Sequence, residues 1–333
     1  MSDLTRRSVL ATAATALPLL PLPPAHALPK STIGEEDLAG LEAEGSRLTS
    51  LVTADRQQTR TELDAHLARV TSVIRHASYR AQAGARLHDL AARLAHSAAW
   101  QRFDTAQHPA AIRLWNSSLR HANASGNDDL AAFVVSDLAY ASLWRGDPKT
   151  AAVLLEGTLA SARHPAARAL LHLRLARARA DLGDHRACGR AIDAAEAHLA
   201  APLHDPAPVF FAWLSSADLL VDTGRCLAQL GHTRAARRSI DDGMALLPAT
   251  RRKSVAVFTT YQAESYLRTD EPEQAAHSAL RALHLARSID APRCVSALEQ
   301  LRPAFAGYQR ITPVAEFLHA LAPPSSAVRA SST

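Results

Sequence analysis

The sequence predicts an all-α protein, a right-handed α-solenoid of helix hairpins, and three observations carry that prediction. Of 333 residues 47% are hydrophobic but only 5% aromatic, and the apolar share is mostly Ala and Leu, helix formers rather than β-branched strand formers. Tight-turn signals recur between helical stretches at Ala106, Gly146, Gly183, Gly231 and Asp270, at intervals of 40, 37, 48 and 39 residues. Small residues stand at fixed distances on either side of each turn. A chain of this length holds two ordinary domains or one elongated array whose units bury their apolar faces against one another, and the recurrence selects the array.

Residues 1–34 read as a leader. Thr5-Arg6-Arg7-Ser8-Val9-Leu10, an Ala/Leu stretch to Leu22 and Ala25-His26-Ala27 have the form of a twin-arginine export signal cleaved after Ala27. The stretch is short and broken by Pro18, Pro21, Pro23 and Pro24, and no other run reaches spanning length, so no stable membrane span is expected. Residues 35–84 read as N-terminal capping helices. Leu38, Leu41, Leu48 and Leu51 form the apolar face of the first, and Leu63, Leu67, Val70 and Ile74 that of the second.

The region 85–289 carries the recurrence. Seven residues before the turns stand Ala99, Ala139, Ala176, Gly224 and Ala263. Five after come Ala111, Ala151, Cys188, Ala236 and Ala275, and twelve after come Ser118, Thr158, Ala195, Gly243 and Ala282. Small side chains at these places let two helices cross closely. Nine after the turns stand Trp115, Leu155, Ile192, Ile240 and Ala279, four of them large enough to fill a hairpin core. The spacing resembles the tetratricopeptide repeat signature. It implies five hairpins over 85–124, 128–163, 165–200, 210–248 and 250–289, with Pro165, Pro206, Pro208 and Pro248 at boundaries. Residues 290–322 are expected to form C-terminal capping helices and 323–333 a disordered tail.

Charge and chemistry point away from catalysis. The net charge is +5, but of 37 basic residues only Lys30, Lys149 and Lys253 are lysine, and the arginines alternate with Asp and Glu. That pattern argues against direct, specific nucleic-acid binding. The densest basic run, Arg251-Arg252-Lys253, reads as a solvated helix start. Cys188, Cys226 and Cys294 lie far apart with no CxxC pair, so they read as packing residues rather than a disulfide framework or zinc site. Among sixteen histidines, His277 and His284 share a helix face, but no carboxylate or Cys completes a ligand set beside them. Phosphate-loop, dinucleotide-binding, zinc-protease and nucleophile-elbow motifs are missing, and Asp181 and Asp184 flank a turn as capping groups do. No enzyme activity, cofactor or metal is therefore expected.

The binding surface of such an array is its concave face, lined by the first helix of each pair. Positions 13, 10, 6, 3 and 2 before the turns are its expected occupants. The first hairpin offers Arg93, His96, Trp100, Phe103 and Asp104, and the second Phe133, Ser136, Tyr140, Leu143 and Trp144. Later hairpins add Arg177, Asp181, Asp218, Arg225, Gln229, Glu264 and Arg268. Rings beside paired charges suit a peptide or protein ligand, the rings as anchors and Arg reading carboxylates. The alternative is that Trp100, Tyr140 and Trp144 are repeat core. Arg93, Arg177 and Arg225 are then the stronger groove residues, since guanidinium groups are seldom buried unpaired.

Five segments carry a family resemblance: Gly84-Ala85-Arg86-Leu87-His88, Trp100-Gln101-Arg102-Phe103-Asp104, Leu143-Trp144-Arg145-Gly146-Asp147-Pro148, Asp222-Thr223-Gly224-Arg225-Cys226-Leu227 and Asp270-Glu271-Pro272-Glu273-Gln274-Ala275. From about residue 34 to 321 the chain resembles the tetratricopeptide-repeat region of actinobacterial transcriptional regulators that join a helix-turn-helix domain to such repeats. Arg6-Arg7-Ser8-Val9-Leu10 and Pro24-Ala25-His26 are similar to the linker after the DNA-binding domain in that family. Only five residues precede Arg6, too few for the DNA-reading domain. The resemblance thus implies a cytoplasmic sensor or interaction half that binds a DNA-binding regulator in trans, or the remnant of a truncated gene. The alternative expectation is a twin-arginine-exported scaffold of the cell envelope.

Overall fold

The computed structural model describes residues 32–50, 56–202 and 206–322. Arg6, Arg7, the Ala27 site, Leu51 and the 323–333 tail lie outside the described residues. Among those described, the chain forms fourteen α-helices: α1 (Glu35–Ser50), α2 (Arg56–His76), α3 (Ala81–Asp104), α4 (His108–Ser125), α5 (Asp128–Trp144), α6 (Pro148–Leu159), α7 (Pro165–Asp181), α8 (His185–Ala200), α9 (Ser216–Gln229), α10 (Thr233–Leu246), α11 (Arg252–Arg268), α12 (Pro272–Ser288), α13 (Pro292–Phe305) and α14 (Thr312–Leu321). The fold is an all-α solenoid. Helices pack in consecutive pairs from α3–α4 to α11–α12, and each pair rests on the next.

One turn, repeated, makes the hairpins. Ala106, Gly146, Gly183, Gly231 and Asp270 all adopt positive φ, at 60°, 74°, 73°, 85° and 60°. The N–H of the following residue reaches back five residues to a carbonyl: Gln107 to Arg102 at 2.8 Å, and Asp147 to Ser142, Asp184 to Arg179, His232 to Leu227 and Glu271 to Tyr266, each at 2.9 Å. This is the Schellman closure, which satisfies carbonyls left open at a helix end. Asp147 and Asp184 then accept from the N–H groups of Thr150 and Ala187 at 3.1 and 2.9 Å, so the residue that ends one helix is followed directly by the cap of the next. The same turn joins α4 to α5 at Gly126 and α12 to α13 at Asp290.

The crossing positions are buried throughout, with Thr158 alone partly exposed. A Cβ on Gly224 would stand 2.6 Å from Cγ1 of Ile240 and 2.7 Å from the Ala236 carbonyl oxygen. On α1 and α2, Leu38, Leu41, Leu48, Leu63 and Val70 pack on Leu87, Leu90 and Leu94 of α3. At the other end α14 lays Val314 and Phe317 on Ala279, Leu283 and Phe305. The long interval between Gly183 and Gly231 is an insertion between α8 and α9, containing a 3-10 turn at Val209–Phe211. It tucks Phe211, 2% exposed, beneath Phe133 at 5.4 Å.

Cys188 and Cys226, distant in sequence, meet across α8 and α9. A hydrogen bond between them holds the Cys188 thiol below and pushes the Cys226 thiol above the usual range; Cys188, Cys226 and Cys294 are all buried. The histidines that meet do so in pairs, as His88 and His121 with Nδ1 atoms 2.9 Å apart. Among the described residues no three His, Cys, Asp or Glu side chains gather as a metal would require.

The tight crossing and the left-handed turns give opposite expectations for two small substitutions. Gly224→Ala lowers stability by about 1–3 kcal/mol, as overpacking against backbone does. Ala106→Gly raises it by up to ~1 kcal/mol by relieving an L side chain from positive φ. Thermal unfolding of both proteins checks this, and a Gly224→Ala protein as stable as its parent would mean that α9 and α10 do not cross tightly.

Candidate binding site

The first helix of each hairpin turns one stripe inward. Twelve of the fifteen residues that stand 13, 9 and 6 before the turns line a single cavity: Arg93, Ser97 and Trp100 on α3, Phe133, Asp137 and Tyr140 on α5, Arg174 and Arg177 on α7, Asp218 and Asp222 on α9, Val257 and Tyr261 on α11. Steps of four and three residues keep these side chains on one helix face. Phe210 and Trp213 from the insertion, Ser46 and Thr49 from α1, and Arg293 from α13 complete the wall. The cavity encloses about 830 Å³, within the ~300–1,000 Å³ typical of ligand pockets.

Its polar groups are held by contacts between helices. Asp137 takes Nε2 of His96 at 2.6 Å and the Trp100 indole N–H at 2.8 Å on the same oxygen. Arg251 grips Asp218 through two nitrogens at 2.8 and 2.6 Å, the bidentate geometry that makes such pairs strong. Asp222 receives Arg174 at 3.3 Å and Arg177 at 3.4 Å. Asp104, the last residue of α3, receives Lys253 at 3.3 Å and Arg293 at 3.1 Å.

Arg293 closes the array. It starts 189 residues beyond Asp104, yet its guanidinium lies 5.4–5.8 Å from the ring centres of Trp100, Phe103, Tyr140 and Trp144, and Nη1 donates to the Tyr140 hydroxyl at 2.7 Å. Cation–π attraction and a desolvated ion pair together hold α13 against α3. Tyr140, 4% exposed, also carries Arg174 and Arg177 over its ring at 4.6 and 5.0 Å.

Of the residues expected on the concave face, Arg93, His96, Trp100, Asp104, Phe133, Tyr140, Arg177 and Asp218 line this cavity. Arg225, Gln229 and Glu264 line a smaller depression next to Tyr261, over whose ring Arg225 stacks at 4.4 Å. Arg268 pairs with Glu264 at 2.8 Å. Asp181 is exposed at the end of α7, outside the lining, and Trp144 sits behind Phe103 at 5.9 Å. Trp100 serves two surroundings, with its ring against Trp115 and Phe103 and its N–H on Asp137. The run Arg251-Arg252-Lys253 is corrected: only Arg252 is exposed, while Arg251 and Lys253 point into the cavity, drawn there by Asp218 and Asp104.

Two signals for the missed residues lay in the repeat itself. The position nine before each turn yields Ser97, Asp137, Arg174, Asp222 and Tyr261, all in the lining, and it belongs to the same stripe as positions 13 and 6. The 48-residue interval marked the insertion that supplies Phe210 and Trp213. Arg293 lies beyond the last hairpin, where the period has no purchase.

No family model matches the chain, and no curated protein matches it. In fold it is similar to a Rap protein whose crystal structure is complexed with competence and sporulation factor: the TM-score is 0.50 at 9% identity, over 85% of this chain and 97% of that one. The likeness is one of fold, a helical-repeat array.

If Arg293 carries the closure, Arg293→Ala costs about 3 kcal/mol, as loss of one partner from a buried ion pair does. Amide exchange in α13 then quickens before that in α7 and α8. Unchanged protection of α13 would show that the closure rests on other contacts.

Proposed function

We propose that this protein is a non-catalytic tetratricopeptide-type scaffold that holds a short peptide or protein segment in its concave cavity and acts through a partner. The cavity is the observation that carries the reading. Phe133, Phe210, Trp213 and Phe258 give it apolar, aromatic walls, and such rings are the usual anchors for bound peptide side chains. Its four carboxylates, Asp104, Asp137, Asp218 and Asp222, are each engaged by neighbouring side chains, an arrangement suited to recognition rather than to a poised general base. The complexed state of the Rap protein with a similar fold supports a binding role.

The resemblance to actinobacterial helix-turn-helix/tetratricopeptide regulators supports a cytoplasmic, regulatory role exercised through a DNA-binding regulator in trans. No described helix is long and apolar enough to cross a membrane. A second reading, an exported scaffold of the envelope, has its own support in Arg6-Arg7 and Ala25-His26-Ala27.

Peptides selected from a random library on the purified protein are expected to lose at least tenfold in affinity with Trp213→Ala or Phe133→Ala, the loss typical of a hot-spot ring. Val153→Ser, at a site 69% exposed, leaves binding unchanged. Selected peptides indifferent to both cavity substitutions would place the binding surface elsewhere. Intact mass after fractionation separates the two locations: a full-length cytoplasmic chain agrees with the regulator, whereas a chain beginning at Leu28 outside the membrane, lost when Arg6 and Arg7 become Lys, means export.

A further inference from the structure

The floor of the cavity concentrates positive charge that its own carboxylate answers poorly. Arg174 and Arg177 lie three residues apart on α7, and both turn to Asp222 of α9, at 3.3 and 3.4 Å. A guanidinium that meets a carboxylate well does so at about 2.7–2.9 Å and often through two nitrogens, as Arg251 does with Asp218 in this same cavity. Shared between two arginines, Asp222 offers neither a bidentate partner. Nε of Arg174 is buried without any hydrogen bond. The side chains are only 9% and 7% exposed, so water does little to compensate them. Asp181, one turn beyond Arg177, attracts it without forming an ion pair.

Tyr140 registers the same field. Burial pushes its hydroxyl up, but the guanidinium groups of Arg293, Arg177, Arg174 and Arg225 outweigh burial, and the hydroxyl titrates below the ordinary phenol range. A ligand that brought its own oxygen anion to this floor would complete the arginines' hydrogen bonds. Its remainder would have to suit the aromatic wall.

We propose that Arg174 and Arg177 form a carboxylate subsite that reads the C-terminal carboxylate of a short peptide, whose apolar side chains pack on Phe133, Phe210, Trp213 and Phe258. The inference rests on the reading of the cavity as a peptide site. A chain end fits better than an internal segment: the cavity holds about 830 Å³, room for a few residues, and α13 closes against α3 across it. The terminal carboxylate supplies two coplanar oxygens for two guanidinium groups, the match that Asp222 lacks.

The test uses N-acetylated tetrapeptides of Phe, Leu, Val and Trp, each made as free acid and as C-terminal amide, titrated calorimetrically into the full chain beside decanoate. Free acids are expected to bind at least tenfold more tightly than their amides. Arg177→Gln abolishes that difference while leaving amide binding as it was. Asp222→Asn, which releases both arginines from their internal partner, tightens the acids several-fold and leaves the amides unchanged, a gain that misfolding does not produce; it decides the matter if Arg177→Gln fails to fold. Acids and amides that bind equally, both weakened by Trp213→Ala, would overturn the carboxylate subsite and leave the peptide cavity standing. Discrimination that survives both charge substitutions would place the carboxylate elsewhere and overturn it as well. Binding of decanoate without any peptide, or no binding by any probe, would overturn the subsite together with the peptide reading.

Discussion

Two helices joined by so short a turn must cross at about 8–10 Å between axes, and whatever stands at the crossing sets how near they come. In α9 and α10 the crossing is made by glycine on both sides, where a side chain on Gly224 or Gly243 would meet backbone at 2.7 or 2.8 Å. Elsewhere alanine suffices, with Ser118, Thr158 and Cys188 at three of the places. The constraint sorts the remaining residues. Bulk excluded from the crossing collects where one hairpin leans on the next, as in the cluster of Phe103, Trp115 and Tyr140, or is turned to the concave face. The aromatic walls of the cavity are in this sense the complement of the alanines behind them.

The same geometry explains the electrostatics. Five helices aim one stripe each at a common space, so charges remote in sequence become neighbours in a medium less polarisable than water. Their pairs consequently run between helices: α3 to α5 through His96 and Asp137, α7 to α9 through Arg174 and Asp222, α9 to the start of α11 through Asp218 and Arg251. Each such contact fixes a side chain that borders the cavity, and a wall fixed in advance loses less entropy when a ligand arrives.

The architecture was legible because it depends on local rules. A residue in the left-handed region, a cap after it and small side chains at set distances are all written within some twenty residues of one another, and every turn found from spacing adopts positive φ. Gly126 and Asp290 make the same turn but join successive pairs, so a search for one turn per pair passes over them. The cavity was legible only in part. Positions 13 and 6 before the turns include Arg93, Trp100, Phe133, Tyr140, Arg177 and Asp218 of the cavity lining, but the expected concave positions leave out position 9, where Asp137, Arg174 and Asp222 stand. Arg251 and Lys253 were read as solvated because their partners, Asp218 and Asp104, lie 33 and 149 residues away. Nothing near them in sequence announces either one.

An open array of repeats has ends that can fray, since each unit touches only its neighbours and stability adds along a line. Arg293 and Asp104 join the line into a loop. With that join the first and last hairpins are tied to each other, so fraying from either end has first to break the contacts of Arg293 with Asp104 and Tyr140. The join also constrains evolution of the array: one more hairpin would carry α13 past α3, and one fewer would leave it short, so the circumference of the cavity and the number of hairpins are a single quantity.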